Sequence, residues 1–176
     1  MTNPRISTNI GIMIPRLIEN LILSNLKNSG KIILLLGARQ VGKTTLAKGI
    51  GKKLEGEGKR VLYLDCDLAE DNAAVNTNSK AILERLLSEV SVLLIDEAQR
   101  LDNPGLTLKI IYDNFPEVRV LATGSSSFDL KNKLSDPLTG RYLDFTLYPF
   151  SFTEAQAAGT TNEALLKNQT DALLPQ

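Results

Sequence analysis

Five short blocks of nearly continuous apolar residues punctuate this chain: KIILLL (31–36), RVLYLD (60–65), VSVLLI (90–95), VRVLAT (118–123) and YLDFTLY (142–148). The unbroken run KIILLL predicts a strand buried on both faces, VSVLLI another buried strand, and the remaining three blocks further strands. Between them the apolar positions return at helical spacing. Ile14, Leu17, Ile18, Leu21 and Ile22 predict a helix to about Lys27, closed by Asn28-Ser29-Gly30. A second helix starts inside a glycine loop and runs through LAKGIGKKL to about Gly56. AILERLLSE (81–89) predicts a third, capped by Ser79 or Asn78. Asn103-Pro104 opens a fourth, with the amide at the cap and proline at the first helical position, ending near Phe115. Ser151-Phe152-Thr153-Glu154 fits a capping box opening a last helical region. The acidic, Asn-rich CDLAEDNAAVNTN (66–78) reads as a connection, and residues 1–13 as a loose leader.

Short buried strands alternating with helices predict an α/β protein, an open parallel sheet with helices on both faces. The expected division is a leader and helix over 1–29, a core over 30–150, and the start of a helical region over 151–176. Ligands of such sheets bind at the carboxyl ends of the strands, so the loops after strands are where chemistry is sought.

Composition narrows the choice mainly by exclusion. The 176 residues suit one domain, large enough to bury roughly 70% of its unfolded surface. Net charge is zero, which gives no support to a nucleic-acid surface. With no histidine and one cysteine, internal disulfides, His-based zinc sites and Ser-His catalysis are excluded. Cys66, at the end of a strand, is read as a bland buried thiol. No segment reaches the ~20 apolar residues of a membrane span. A soluble, cytoplasmic protein is expected.

The most specific signal is Gly37-Ala38-Arg39-Gln40-Val41-Gly42-Lys43-Thr44-Thr45. It follows a buried strand and opens a helix, the context a P-loop requires. Glycines let the backbone curl so that N–H groups face phosphate oxygens, and the helix adds its positive dipole end. Lys43 is expected on the β- and γ-phosphates and the Thr44 hydroxyl on Mg²⁺. Arg39 and Gln40 are not needed for the cradle; Arg39 reads as a solvated side chain at the loop tip.

Downstream, VLLIDEAQ (92–99) ends a buried strand in two acids, a Walker B arrangement. Asp96 is expected to hold Mg²⁺, and Glu97 to act as base toward the water attacking the γ-phosphate. LATGSSS (121–127) ends the fourth strand, where Ser125 or Thr123 could sense the γ-phosphate, or a Gly-Ser turn could simply cap FDLKNKL. Arg141, before the fifth strand, is either a transition-state finger acting in its own chain or a neighbour's, or a surface arginine. Asp65, Asp67, Glu70 and Asp71 read mainly as a solvated turn near the ligand edge.

With GARQVGKTT, LLIDEAQ, LATGSSS and LTGRYLDFTLYPFSFTE in this order, the chain resembles the AAA-type P-loop ATPases of bacteria and archaea known as the AAA_14 domain family. The resemblance covers about residues 30–154. It implies an αβα sandwich with sheet order 5-1-4-3-2, ATP as the nucleotide and Mg²⁺ as its ion. It supports Lys43, Thr44, Asp96 and Glu97 in the roles above and strengthens Ser125 and Arg141. Family members usually continue into a long C-terminal region, whereas this chain stops at Gln176. The process that ATP turnover drives is thus expected to lie in a missing region or a partner, and a homo-oligomer or protein partner could supply an arginine. A GTPase reading from Asn132-Lys133-Leu134-Ser135-Asp136 fails because the aspartate falls one residue late. A two-lobed helicase needs a second core, and no arginine-rich lid marks a nucleotide kinase. The rival is a nucleotide-dependent switch with negligible turnover, which needs the same cradle.

Overall fold

The computed structural model describes residues 16–125, 138–152 and 154. Helix α1 spans Glu19–Asn28, β1 Ile32–Gly37, α2 Lys43–Gly56, β2 Val61–Asp65, α3 Ala69–Val75, α4 Lys80–Leu87, β3 Val92–Asp96, α5 Pro104–Asn114, β4 Arg119–Ser125 and β5 Tyr142–Leu147. One 3₁₀ turn, Ala98–Arg100, follows β3. The sheet order is β2-β3-β4-β1-β5 with every pairing parallel. Read from the other edge, this is the order the resemblance implied.

Strand β1 shows why the apolar runs are continuous. All six of its residues are buried, and its side chains alternate between two cores. Ile32, Leu34 and Leu36 join a cluster with Leu83, Leu93, Ile95, Leu108 and Ile111 from α4, β3 and α5. Ile33 and Leu35 join the opposite cluster with Ile22, Leu26, Leu46, Ile50 and Leu54 from α1 and α2. A sheet covered on both sides needs apolar residues at every position, because a one-residue step only exchanges one core for the other. The result is the three-layer αβα sandwich, with β1 in the interior of the sheet, between β4 and β5.

Several local signals appear where they were expected, although Ser79 before α4 makes no side-chain cap bond. Asn103 Oδ1 accepts the Leu106 N–H at 3.1 Å and Pro104 takes the first helical position. Ser151 and Glu154 make both reciprocal bonds of a capping box, at 3.2 Å and 2.9 Å. Gly30 ends the α1 region with φ +66°.

Three expectations are corrected. Helix α1 begins at Glu19 rather than Ile14, which lies outside the described residues, and Leu17 and Leu21 face solvent. The helix is no appendage, since Ile22 and Leu26 are fully packed against the sheet. The connection after β2 contains α3, whose Val75 is completely buried. With few apolar positions and several poor helix formers, that segment lacks a readable period. Tertiary anchors hold it instead: Asn72 Nδ2 donates to the carbonyls of Cys66 and Arg100, both at 3.2 Å. Nor are the acids there all solvated. Asp71 is buried and accepts the Asp65 N–H at 3.0 Å. The segments FDLKNKL and Asn132–Asp136, and nearly all of 151–176, lie outside the described residues.

Candidate functional site

The loop joining β1 to α2 is built around two glycines with different jobs. A Cβ on Gly37 would sit 2.5 Å from the Leu147 carbonyl oxygen, so this glycine permits β5 to lie close beside the loop's start. Gly42 has φ +96° and is the residue from which α2 departs. Gln40 is also left-handed, at φ +63°, so the loop reverses twice within three residues. Ala38, Arg39 and Gln40 are exposed at the tip, whereas the Val41 side chain is buried over Gly37. Helix α2 has no side-chain cap, and its opening bond runs from Leu46 N to Gly42 O at 2.9 Å. The N–H groups of Lys43, Thr44 and Thr45 therefore lack intrahelical acceptors, as in any first turn. Lys43 is 5% exposed, and its ammonium returns across the loop to donate to the carbonyls of Gly37 (3.0 Å) and Ala38 (2.8 Å). Thr44 is half-buried and Thr45 exposed in the same turn.

The second half of the site stands on β3, β4 and β2. Asp96 is 2% exposed at the end of β3. Its Oδ2 accepts the Tyr63 hydroxyl at 2.7 Å, and its Oδ1 accepts the Thr123 hydroxyl. Burial, and then the adjacent Asp96 carboxylate, push the Tyr63 hydroxyl far above its ordinary value, so it stays protonated as a donor. Each Asp96 oxygen keeps a second lone pair, so the carboxylate can accept a further donor such as a metal-bound water. Glu97 is half-buried with φ +53°, a left-handed conformation uncommon for a non-glycine residue. Two bonds hold it there: its N–H donates to Thr123 Oγ1 at 3.2 Å, and Gln99 Nε2 donates to its carboxylate. Thr123 thus braces both acids of the pair.

Strand register decides which candidates share an edge. Ser125 pairs with Gly37 across β4 and β1, at the mouth of the loop. Asp96 ends β3, the other neighbour of β4, about 10 Å across from β1 at the usual strand spacing. Arg141 is different. It precedes β5, and its carbonyl accepts the N–H of Ile32 at the start of β1. Gly37 closes the other end of that strand, about 17 Å away at 3.3 Å per residue. Arg141 therefore stands at the end of β1 opposite to the phosphate loop of its own subunit. Its guanidinium instead pairs with Asp113 at 3.0 Å and lies over Tyr112.

Asp65 meets Asp96 in register and Asp67 pairs with Arg100, so the acids after β2 build the β2–α3 turn. Cys66 is buried, and burial followed by Asp65 and Asp71 pushes its thiol up to about 12, leaving it protonated and unreactive. A groove of about 840 Å³, lined by Arg60, Lys80, Phe115 and Arg119 among others, opens at the amino ends of the strands and has no part in the loop. Among the described residues no three His, Cys, Asp or Glu side chains cluster as metal ligands. Nor is any described helix long and apolar enough to cross a membrane. The sequence reading missed Tyr63 and Gln99. Tyr63 stands as a polar tip within an apolar strand, and Gln99 two residues beyond Glu97; both positions are visible in the sequence.

A family model described as AAA domain (AAA_14) matches residues 29–156, most of the chain, and the chain belongs to that family. Among curated proteins, the uncharacterized protein Rv2008c of Mycobacterium tuberculosis and Mb2031c of Mycobacterium bovis are each 32% identical over 111 residues. The match covers 62% of this chain but only 23% of theirs, so the chain spans less than a quarter of the length of these relatives. Similar solved structures include AMPPCP-bound DnaA from Aquifex aeolicus, with TM-score 0.62 and 19% identity over 99% of this chain and 58% of that one. PCH-2 from C. elegans has TM-score 0.57 and 18% identity, covering 94% and 51%. These likenesses show a shared fold.

Proposed function

We propose that this member of the AAA_14 family binds ATP at the loop from Gly37 to Thr45 and hydrolyses its β–γ phosphoanhydride. The observation that carries this reading is the edge shared by three features: an uncapped helix start with a buried lysine, a braced aspartate, and a glutamate held left-handed beside it. On triphosphate binding, the free amides and Lys43 neutralise the β- and γ-phosphates. Thr44 and Asp96 would hold Mg²⁺, which supplies charge for the phosphates. Glu97 accepts a proton from water as its oxygen attacks the γ-phosphorus and the bond to the β-bridging oxygen breaks, giving ADP and phosphate. Ser125, which pairs with Gly37, would contact the γ-phosphate. ATP rather than another nucleotide follows from the family, and DnaA of the same fold holds AMPPCP.

Gln99 favours a second state of the same site. Its amide engages the Glu97 carboxylate, so the base is occupied until that bond is released. A switch with slow turnover, raised by self-association or by a partner, fits this restraint. Arg141, at the end of β1 opposite to its own loop, would then act on a neighbour's nucleotide. Because the chain spans a minor part of its relatives, turnover would be coupled to a further region or a partner.

Phosphate release at saturating Mg-ATP, measured for wild type, Glu97→Gln and Lys43→Ala, tests the reading. Expected are slow release by wild type, binding without release by Glu97→Gln, and no binding by Lys43→Ala. Equal rates for wild type and Glu97→Gln would remove Glu97 as the base. Unchanged affinity for Lys43→Ala would reject the cradle.

A further inference from the structure

Arg16 is a buried cation, 8% exposed, that the hydrolysis just described does not use. Its guanidinium makes three directed contacts, one with the phosphate loop and two with the segment leaving β5. Nε donates to Glu154 Oε1 at 3.0 Å, Nη1 to the Val41 carbonyl at 2.9 Å, and Nη2 to the Tyr148 carbonyl. Its face lies 4.4 Å from the centre of the Phe150 ring. The N–H of Leu17 adds a 3.0 Å bond to the same Glu154 oxygen, while the other oxygen closes the capping box with Ser151. The start of the α1 region, the phosphate loop and the segment leaving β5 are thus tied at one point.

The contact with Val41 has a specific consequence. In a planar trans peptide the carbonyl and the following N–H point in opposite directions. Holding the Val41 carbonyl on a guanidinium therefore fixes the direction of the Gly42 N–H, away from Arg16. Val41 cannot slip, since its side chain is buried in the α1–α2 core. Gly42, at φ +96°, could otherwise turn easily, and the nearest atom facing its missing side chain is Arg16 Nη1 at 3.7 Å. A fork of five N–H donors suits three acceptors at once in a way an ammonium does not.

We propose that Arg16 is the positioning residue of the phosphate loop, orienting the Val41–Gly42 peptide for an anion, and that the same guanidinium carries loop occupancy to Tyr148–Glu154. The proposal rests on the nucleotide reading above. Linkage is reciprocal, so a change at Glu154, which makes no contact with the loop, alters nucleotide affinity. The segment leaving β5 is then a reporter of the nucleotide state.

Calorimetry with Mg-ATP and amide hydrogen exchange over residues 148–152, with and without Mg-ATP, test this on wild type, Arg16→Lys, Arg16→Ala, Glu154→Gln and the Arg16→Ala/Glu154→Gln pair. Wild type should bind and show slower exchange over 148–152 on binding. Arg16→Lys should bind about tenfold more weakly and lose that exchange response. Glu154→Gln should weaken binding by about threefold, and the double variant should be non-additive. If Arg16→Ala does not fold, Arg16→Lys and Glu154→Gln decide the matter. Folded variants with wild-type affinity and the wild-type exchange response overturn the proposal alone. Failure of wild type itself to bind Mg-ATP overturns the nucleotide reading and this proposal together.

Discussion

The Tyr63 hydroxyl donates to Asp96 Oδ2 at 2.7 Å, joining the ends of β2 and β3 at a carboxylate that is almost fully buried. Without donors, a buried carboxylate would be costly; Tyr63 on one oxygen and Thr123 on the other supply partners and fix its direction. The acid pair is therefore part of a four-residue unit in which two hydroxyls hold the Asp96 carboxylate and one of them also holds the Glu97 backbone.

Tyr63→Phe preserves the ring and removes one donor. Stability should fall by about 1–3 kcal/mol, the cost of leaving a buried acceptor short of a partner. Thr123→Val should do the same and also release the Glu97 N–H, so its turnover should fall further than that of Tyr63→Phe. Urea denaturation and phosphate release check the two halves of this prediction separately.

Two glycines should respond oppositely to alanine. At Gly37 a Cβ would meet the Leu147 carbonyl at 2.5 Å, and moving backbone should cost about 1–3 kcal/mol while loosening β5. Gly56, in the last turn of α2, has no atom within 4 Å of such a Cβ. Gly56→Ala should stabilise by about 0.5–1 kcal/mol through helix propensity and the reduced freedom of the unfolded chain. Melting temperatures of the two variants should move in opposite directions.

Acid should attack the Arg16 junction. Burial pushes the Glu154 carboxyl up, but the N–H groups of Ser151 and Leu17 and the Arg16 guanidinium outweigh it and hold the group down at about 2. Its folded value thus lies below the usual 4.3 of an unfolded glutamate. The ionised form favours folding, and this contribution is complete above about pH 5 and lost as pH falls toward 2. Denaturant midpoints of wild type and Glu154→Gln should differ at pH 6 and converge near pH 2.

Arg141→Ala should leave nucleotide affinity of the isolated subunit unchanged, because the residue stands at the far end of β1 from the loop. Loss of its half-exposed pair with Asp113 should cost less than about 1 kcal/mol. If turnover rises with protein concentration in wild type, that rise should be absent in Arg141→Ala. Phosphate release across a dilution series measures it.

What could be read from the chain was what neighbours along it decide. The unbroken apolar runs of β1 and β3 must be strands with two buried faces, Asn103-Pro104 must begin a helix, and Gly37 to Thr44 must curl, because a period, a cap or a φ preference acts over a few residues. The family resemblance added the sheet order. Contacts over long separations had no such signature. Arg16 meets Glu154 across 138 positions and Val41 across 25, Tyr63 meets Asp96 across 33, and Asn72 of α3 is anchored on the Cys66 and Arg100 carbonyls. Arg141 preceded a strand that the sequence could locate, yet only parallel register placed it at the end away from the loop. Local sterics and hydrophobic period belong to the sequence itself; which polar groups meet depends on how buried faces pack, and burial then obliges those groups to pair.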